Sequence, residues 1–267
     1  MNNKEYIKYM RDELSKYIFD NNLKSLVLGV SGGIDSALVA ALAKPICDEK
    51  KIPLFGRSLP SISTSSDELN RSILIGLDFC TSFDVFSIEP MYNMLLSIEK
   101  TENTKFNELS MSMSEKIRCG NIKARIRMIY LYNLAHLHSG IVLSTDNYTE
   151  LLLGFWTLHG DVGDFGMIQN LWKTEVYEIS NYILNNENLN KKQKVALELC
   201  IKATPTDGLG ITNSDLDQLG ASSYEEVDNI LKEYIKDNTA FKNHPVIKRH
   251  LASQFKRNNP YNVEFLI

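Results

Sequence analysis

The chain lacks any apolar run near the roughly 18 residues that a membrane-spanning helix needs. Its first residues, MNNKEYIKYMRDELSKYIF, alternate charge and apolar side chains as an amphipathic helix does, unlike a secretory leader. Cysteine is scarce: Cys47, Cys80, Cys119 and Cys200 lie far apart, with no CxxC pair and no zinc-ligand spacing. Thiols so placed read as reduced, mostly buried side chains of a cytoplasmic protein. Charge of one sign is lacking too, since 29 Lys and Arg against 33 Asp and Glu leave a formal net charge of -4. No general footprint for nucleic acid follows from that balance, so an anionic ligand must be held by local groups. There is no internal repeat, low-complexity tract or linker, and 267 residues suffice for a sizeable core. Residues 1–267 are therefore expected to form one compact domain.

What is present is an alternation. SLVLGV (25–30), PLFGRSL (53–59), FDVFSI (83–88) and GIVLST (140–145) read as buried strands. Between them, helical patterns cover 34–49, 65–77, 90–100 and 114–138. This rhythm predicts an α/β fold, a parallel sheet with helices on both faces. Beyond residue 173 the pattern is helical, over 173–185, 190–201, 223–236 and 240–257. Two stretches rich in Gly, Asp, Asn and Thr, 154–172 and 202–222, read as loops. Long ordered loops more often bind than merely connect.

The first strand breaks into Ser31-Gly32-Gly33 before the helix at Ile34, which puts the turn at the carboxyl edge of the sheet. Glycine-turn amides and a helix N-terminus there can cradle phosphate. A tight turn with a capping serine is the plainer reading of the same residues. The kinase-type GxxxxGK[ST] loop is absent; where it would carry a lysine, this chain has Asp35 and Ser36. A carboxylate beside a phosphate cradle repels the ligand unless a cation lies between, and Mg²⁺ is the natural one. The strand 140–145 is expected beside the first, bringing Thr145 and Glu150 to the same edge. Glu150 would supply a second hard oxygen ligand, or it would simply favour the dipole of a helix start.

GVSGGIDS resembles the pyrophosphate loop of the N-type ATP pyrophosphatases, which cleave ATP to AMP and pyrophosphate while adenylating a substrate. GNIKARIRM (120–128), STDNYTE (144–150), GDVGDF (160–165), LWKTEV (171–176), TPTDGL (204–209) and FKRNNP (255–260) follow in the order of one branch. From the first strand to the C-terminus the chain is similar to ammonia-dependent NAD synthetases. The resemblance implies an adenine nucleotide α-hydrolase-like, Rossmann-like sheet with a helical C-terminal part. It implies ATP contacts at Gly29, Val30, Ser31, Gly32, Gly33, Ile34, Asp35, Ser36, Thr145, Lys173 and Thr206. Mg²⁺ would lie on Asp35 and Glu150, and deamido-NAD on Arg125, Asp164, Phe255 and Lys256.

Residue chemistry bears on two of these roles. At roughly 100° per residue, Arg118 and Arg125 share one face of the helix 114–138, flanked by Ile117, Ile122, Met128 and Ile129. An arginine amid apolar neighbours needs an anionic partner, either a protein carboxylate or, as the resemblance implies for Arg125, the dinucleotide. Lys116, Lys123 and Arg127 share the opposite face, expected to be solvated or in an oligomer contact. Lys173 stands at a helix start, where the dipole disfavours a cation, so it is expected to face phosphate.

The departures from the family pattern fall on the acceptor side. GDVGD replaces the usual GDGGxD, with Val162 for a glycine and one residue fewer. Leu158 stands where the family has a lysine on deamido-NAD, Phe255 where it has a histidine, and Asp207 where it has an alanine. The segment 182–203 is longer than in familiar members. The expected reaction converts deamido-NAD, ATP and ammonia to NAD, AMP and pyrophosphate. Its rivals are adenylation of another acceptor, or ATP binding without turnover. Only 24 residues precede Ser25, too few for a glutamine-hydrolysing fold, so free ammonia is the expected nitrogen source. The resemblance also implies a homodimer with acceptor sites at its interface, and neither nucleic acid nor membrane is an expected partner.

Overall fold

The computed structural model describes residues 2–98, 111–205 and 215–263. Five parallel strands, β1 (Ser25–Gly29), β2 (Leu54–Ser58), β3 (Ser82–Val85), β4 (Gly140–Ser144) and β5 (Phe165–Gly166), stand in the order β3-β2-β1-β4-β5. The chain builds outward from β1 to β3, then crosses back to place β4 on the other side of β1, with Val27 level with Val142. Strand order therefore reverses between β1 and β4. A crevice at the carboxyl ends of those two strands follows from that topology.

Helices cover both faces, as the alternation predicts. Leu26, Leu28 and Val30 point into one core, packed under α1 (Asn3–Asp20), α2 (Ile34–Lys50), α7 (Lys173–Asn186) and α8 (Lys191–Lys202). Val27 and Val142 point the other way, onto α4 (Glu89–Ile98) and α5 (Met113–Leu137). This is the period-two alternation of a strand whose two sides are both buried. α3 (Ser66–Phe79) closes the first core through Ile75 and Phe79. A third cluster joins α6 (Tyr148–Leu153), α9 (Asp215–Leu219), α10 (Tyr224–Lys236) and α11 (Pro245–Ala252), with α12 (Gln254–Arg257) at its edge.

Local sequence starts most of these helices. Asn2 with Glu5, Ser65 with Glu68, Ser112 with Glu115 and Asn190 with Gln193 form reciprocal capping boxes. α2 carries Pro45, which has no N–H to give the Ala41 carbonyl. Arg11 of α1 makes that loss good, donating Nη2 to Ala41 O at 3.2 Å and Nε to Leu42 O at 3.3 Å. Its guanidinium is held in turn by both oxygens of Glu187, at 2.7 and 2.8 Å.

The structure departs from the sequence expectations in five places. The stretch 154–172 contains β5, a two-residue strand too short to carry periodicity. α9 lies within 202–222, and the helical pattern over 240–257 breaks into α11 and α12 around Ser253. The strand expected over 83–88 spans Ser82–Val85. The basic faces of α5 are reversed: Arg118 and Arg125 are exposed, whereas Lys123 is 8% exposed and lines the central cleft with Arg127. Ile117 and Ile129, taken as burying the first face, are themselves exposed. The aliphatic stems of Lys123 and Arg127 pack inward while their heads find polar partners.

Candidate active site

A cleft of about 1070 Å³ opens at the carboxyl ends of β1 and β4. Its floor is the turn after β1. Gly32 has φ +87°, and a Cβ there would stand 2.3 Å from the Glu68 carbonyl oxygen, so only glycine fits. Gly33 is the N-cap of α2 and has no side chain to satisfy the first-turn amides. Ser31 and Ser36 hydrogen-bond each other at 3.1 Å, and Ser36 Oγ also donates to Gly33 O, which sets the shape of the turn. These are the features of an anion cradle.

Three charged side chains meet beside it. Lys173, 3% exposed at the start of α7, places Nζ 2.6 Å from Asp35 Oδ2 and 2.9 Å from Glu150 Oε1. Burial alone would drive off its proton, but Asp35 and then Glu150 together outweigh that and hold the ammonium well above its usual value. Each carboxylate is less than a fifth exposed. α6, read in the sequence only as an alternative helix start at Glu150, brings that residue here. Asn147, its N-cap, accepts from Glu150 N at 3.0 Å and donates Nδ2 to Asp35 Oδ1 at 2.9 Å. One fully buried amide thus ties the start of α6 to the start of α2.

Behind Lys173 lies buried Asp228 of α10. It accepts from Thr149 Oγ1 at 2.6 Å and Thr174 N at 3.0 Å, and Thr149 Oγ1 accepts from Lys173 N at 2.9 Å. A carboxylate at the first turn of α7 favours that helix dipole and fixes the backbone from which Lys173 projects. Neither Asn147 nor Asp228 stood out in the sequence. For Asn147 the signal was there, since an N-cap Asn three residues before Glu is a helix-start pattern.

A second cavity, of about 550 Å³, adjoins the first. Met128, Asp146, Trp156, Gly160 and Lys256 line both. Lys256 donates Nζ to Gly154 O at 2.7 Å and also to Trp156 O. Leu158 and Val162 line the second cavity, whereas Phe255 lines the first. Asp146 is 8% exposed, and burial, with Asp161 and Glu150 nearby, raises its carboxyl well above the usual range although Ser144 Oγ donates to it. Burial likewise pushes Asp161 up to about 6, against the Thr157 N–H that bonds both its oxygens.

Of the sequence candidates, Gly29, Val30, Ser31, Gly33, Ile34, Asp35, Thr145, Glu150 and Lys173 line the first cleft. Gly32 and Ser36 lie behind them in the turn. Arg125 and Asp164 line neither cavity. Arg125 donates Nη2 to Leu158 O at 2.9 Å, while Asp164 takes Tyr132 OH on one oxygen at 3.0 Å and Val142 N on the other at 2.9 Å. Thr206 and Asp207 lie outside the described residues.

Asp35 and Glu150 suit a Mg²⁺ ion. Both present hard oxygen donors from different elements, and both already converge on one cationic point, the ammonium of Lys173. Among the described residues no group of three His, Cys, Asp or Glu side chains is arranged for a metal. An ion there would take its remaining ligands from phosphate oxygens and water, the usual habit of Mg²⁺.

Comparison with known proteins gives the family. The sequence profile of the NAD synthase family matches residues 6–260. The NH(3)-dependent NAD(+) synthetase of Thermoplasma acidophilum is 32% identical over 247 residues, 90% of this chain and 91% of that one. The solved structure of NMN synthetase from Francisella tularensis superimposes with a TM-score of 0.78 at 26% identity, covering 99% of this chain and 100% of that one. The NH3-dependent NAD synthetase from Campylobacter jejuni superimposes with a TM-score of 0.71, at the same identity and coverage. No described helix is long and apolar enough to cross a membrane. By profile, sequence and fold, the chain belongs to the NAD synthase family.

Proposed function

We propose that this chain, acting as one catalytic unit in the cytoplasm, amidates the nicotinate carboxylate of deamido-NAD, using ATP and ammonia. The observation that carries the reading is the meeting of Asp35, Glu150 and Lys173 at the uncapped start of α2, beside a cleft of nucleotide size. A carboxylate oxygen of the nicotinate ring attacks the α-phosphorus of ATP, the bond to the bridging oxygen breaks, and pyrophosphate leaves. Ammonia then attacks the carbonyl carbon of the mixed anhydride, loses a proton, and AMP departs with the bridging oxygen. The amides of 31–33 and the first turn of α2 face the departing phosphates, the kind of preorganised dipole that lowers such barriers. Asp35 and Glu150 would hold Mg²⁺, which when bound neutralises phosphate charge. Thr145 and Thr206 contact ATP, with Lys173 on its phosphates. Lys256 and Phe255, with Arg125 and Asp164, serve the acceptor side.

A second reading, a nicotinate mononucleotide as the amidated acceptor, is favoured by one observation. Francisella NMN synthetase matches the fold better than Campylobacter NAD synthetase, 0.78 against 0.71. The dinucleotide remains the principal reading, since the curated relatives at 30–32% identity are NAD synthetases.

The active form is a homodimer joined through the outer face of α4 and α5. Met94, Leu95 and Ile98 of α4 and Ile117 and Ile129 of α5 are exposed there, an apolar surface that isolated monomers rarely carry. The functional test gives the purified chain ATP, Mg²⁺ and either deamido-NAD or nicotinate mononucleotide, with ammonium chloride or ammonia-free glutamine. Expected are NAD, AMP and pyrophosphate from deamido-NAD with ammonium alone. Amide product from the mononucleotide only would establish the second reading. Equal rates from glutamine would contradict direct use of ammonia.

A further inference from the structure

Arg71, on the face of α3 that meets the glycine turn, has no role in the chemistry above. Its Nε donates to Gly32 O at 2.9 Å, and the residue lines the cleft beside Ser31 and Gly33. Among the described residues its two terminal nitrogens make no hydrogen bond and no ion pair. Among the other cations lining the cleft, Lys173 is paired with Asp35 and Glu150, Arg57 with Asp84 at 3.2 Å, and Arg127 donates Nε to Leu59 O at 2.9 Å. The Arg71 guanidinium is firmly placed. Gly32 lies close against α3, where a Cβ would stand 2.3 Å from the Glu68 carbonyl oxygen and 3.1 Å from Ser72 N, and the thiol of buried Cys200 donates to the same Gly32 oxygen at 3.5 Å.

We propose that Arg71 grips the pyrophosphate that leaves ATP, an inference that rests on the ATP-cleaving reading of this cleft. With Nε spent on Gly32 O, the two Nη groups remain as a planar fork, the geometry that pairs with two phosphate oxygens at once. The fork stands at the start of α2, where the first-turn amides have no side-chain cap, so guanidinium and helix dipole act on the same anion. Leu158 and the second cavity, the acceptor side, are lined from α5, α6, α12 and the loop after α6, with no residue of this turn among the lining. Arg71 therefore discriminates between the two products of ATP cleavage, binding pyrophosphate and not AMP. Nothing in its sequence context announced this, because the pairing with Gly32 spans 39 residues.

The test compares wild type with Arg71→Met and Arg71→Lys in three readouts: product inhibition by magnesium pyrophosphate, product inhibition by AMP, and calorimetric binding of magnesium pyrophosphate. Loss of a charge-assisted pair should weaken pyrophosphate inhibition about tenfold to hundredfold in Arg71→Met and raise the KM for ATP. AMP inhibition and the KM for deamido-NAD should stay within about twofold, a change too small to represent a charge-assisted contact. Arg71→Lys should recover part of the loss. Unchanged pyrophosphate inhibition in Arg71→Met overturns the proposal. So does parallel weakening of pyrophosphate and AMP, since an arginine that only shapes the turn would act on both. Should Arg71→Met fail to fold, Arg71→Gln, whose amide can still donate to Gly32 O, is read by the same criteria. A wild type that makes no NAD refutes the functional reading, while calorimetric binding still decides the role of Arg71.

Discussion

Asn147 Nδ2 donates to Asp35 Oδ1 at 2.9 Å, joining two helix starts that are 112 residues apart in the chain. The same amide, through its oxygen, caps α6 at Glu150 N. The two carboxylates are thus held together by one side chain, before any ligand arrives. Asn147→Ala removes both bonds, losing about 1 kcal/mol for the cap and about 1.5–3 kcal/mol for a hydrogen bond to a charged group. Asn147→Ser keeps an oxygen for the cap but cannot reach Asp35. Thermal unfolding should show a large loss for Ala and a smaller one for Ser. Titration with Mg²⁺ in the presence of ATP should show both variants weakened alike.

Asp35→Asn and Glu150→Gln each remove one hard ligand, and with it one of the two carboxylates paired with Lys173, while leaving the glycine cradle in place. Turnover should fall far more than ATP binding, by a factor on the order of a hundred or more, the loss typical when one element of transition-state charge stabilisation is removed. Steady-state rates and equilibrium nucleotide binding measured on the same preparations check this. Near-normal pyrophosphate release by both variants removes the metal assignment.

Much of this was readable from local pattern, and the remainder has a common cause. Four strands and the helices between them show in the sequence because each is long enough to carry its own periodicity. The glycine turn, Asp35, Glu150 and Lys173 were singled out by chemistry, and the structure brings the Lys173 ammonium within hydrogen-bond distance of both carboxylates. β5, with two residues, was not, and α6, with six, showed only as an alternative helix start at Glu150. Lys123 and Arg127 misled because charge was read as exposure, although a long aliphatic stem lets a cationic residue line a cleft. Arg71, Asn147 and Asp228 act through partners far along the chain, a relation that no local window contains.

Leu158 lines the second cavity, at the position where the resemblance implies a lysine on the acceptor. Leu158→Lys should restore one charge-assisted contact of about 1.5–3 kcal/mol. The KM for deamido-NAD should fall by about tenfold or more at that energy, with the KM for ATP little changed. An unchanged or higher acceptor KM would show that the loop presents this position differently.

Asp161 titrates at about 6 in the folded chain against 3.8 for a free carboxyl, chiefly through burial. Between those values this carboxyl holds more protons in the folded state than in the unfolded one, so its contribution to stability falls as pH rises from about 4 to 6 and then levels off. The full drop is up to about 3 kcal/mol. Asp146, also raised by burial, adds a slope of the same sign. Asp161→Asn should flatten the pH dependence of the urea midpoint over this window without abolishing it. A pH profile of the midpoint left unchanged by Asp161→Asn would contradict the assignment.

The central claim is that the acceptor carboxylate is joined to AMP before ammonia arrives. Deamido-NAD carrying a heavy oxygen isotope in its nicotinate carboxylate tests it most directly, with the AMP formed analysed by mass spectrometry. One labelled oxygen from each carboxylate should appear in the phosphate of AMP, in step with NAD formation. AMP free of label, or ADP and phosphate as the products, would contradict the account.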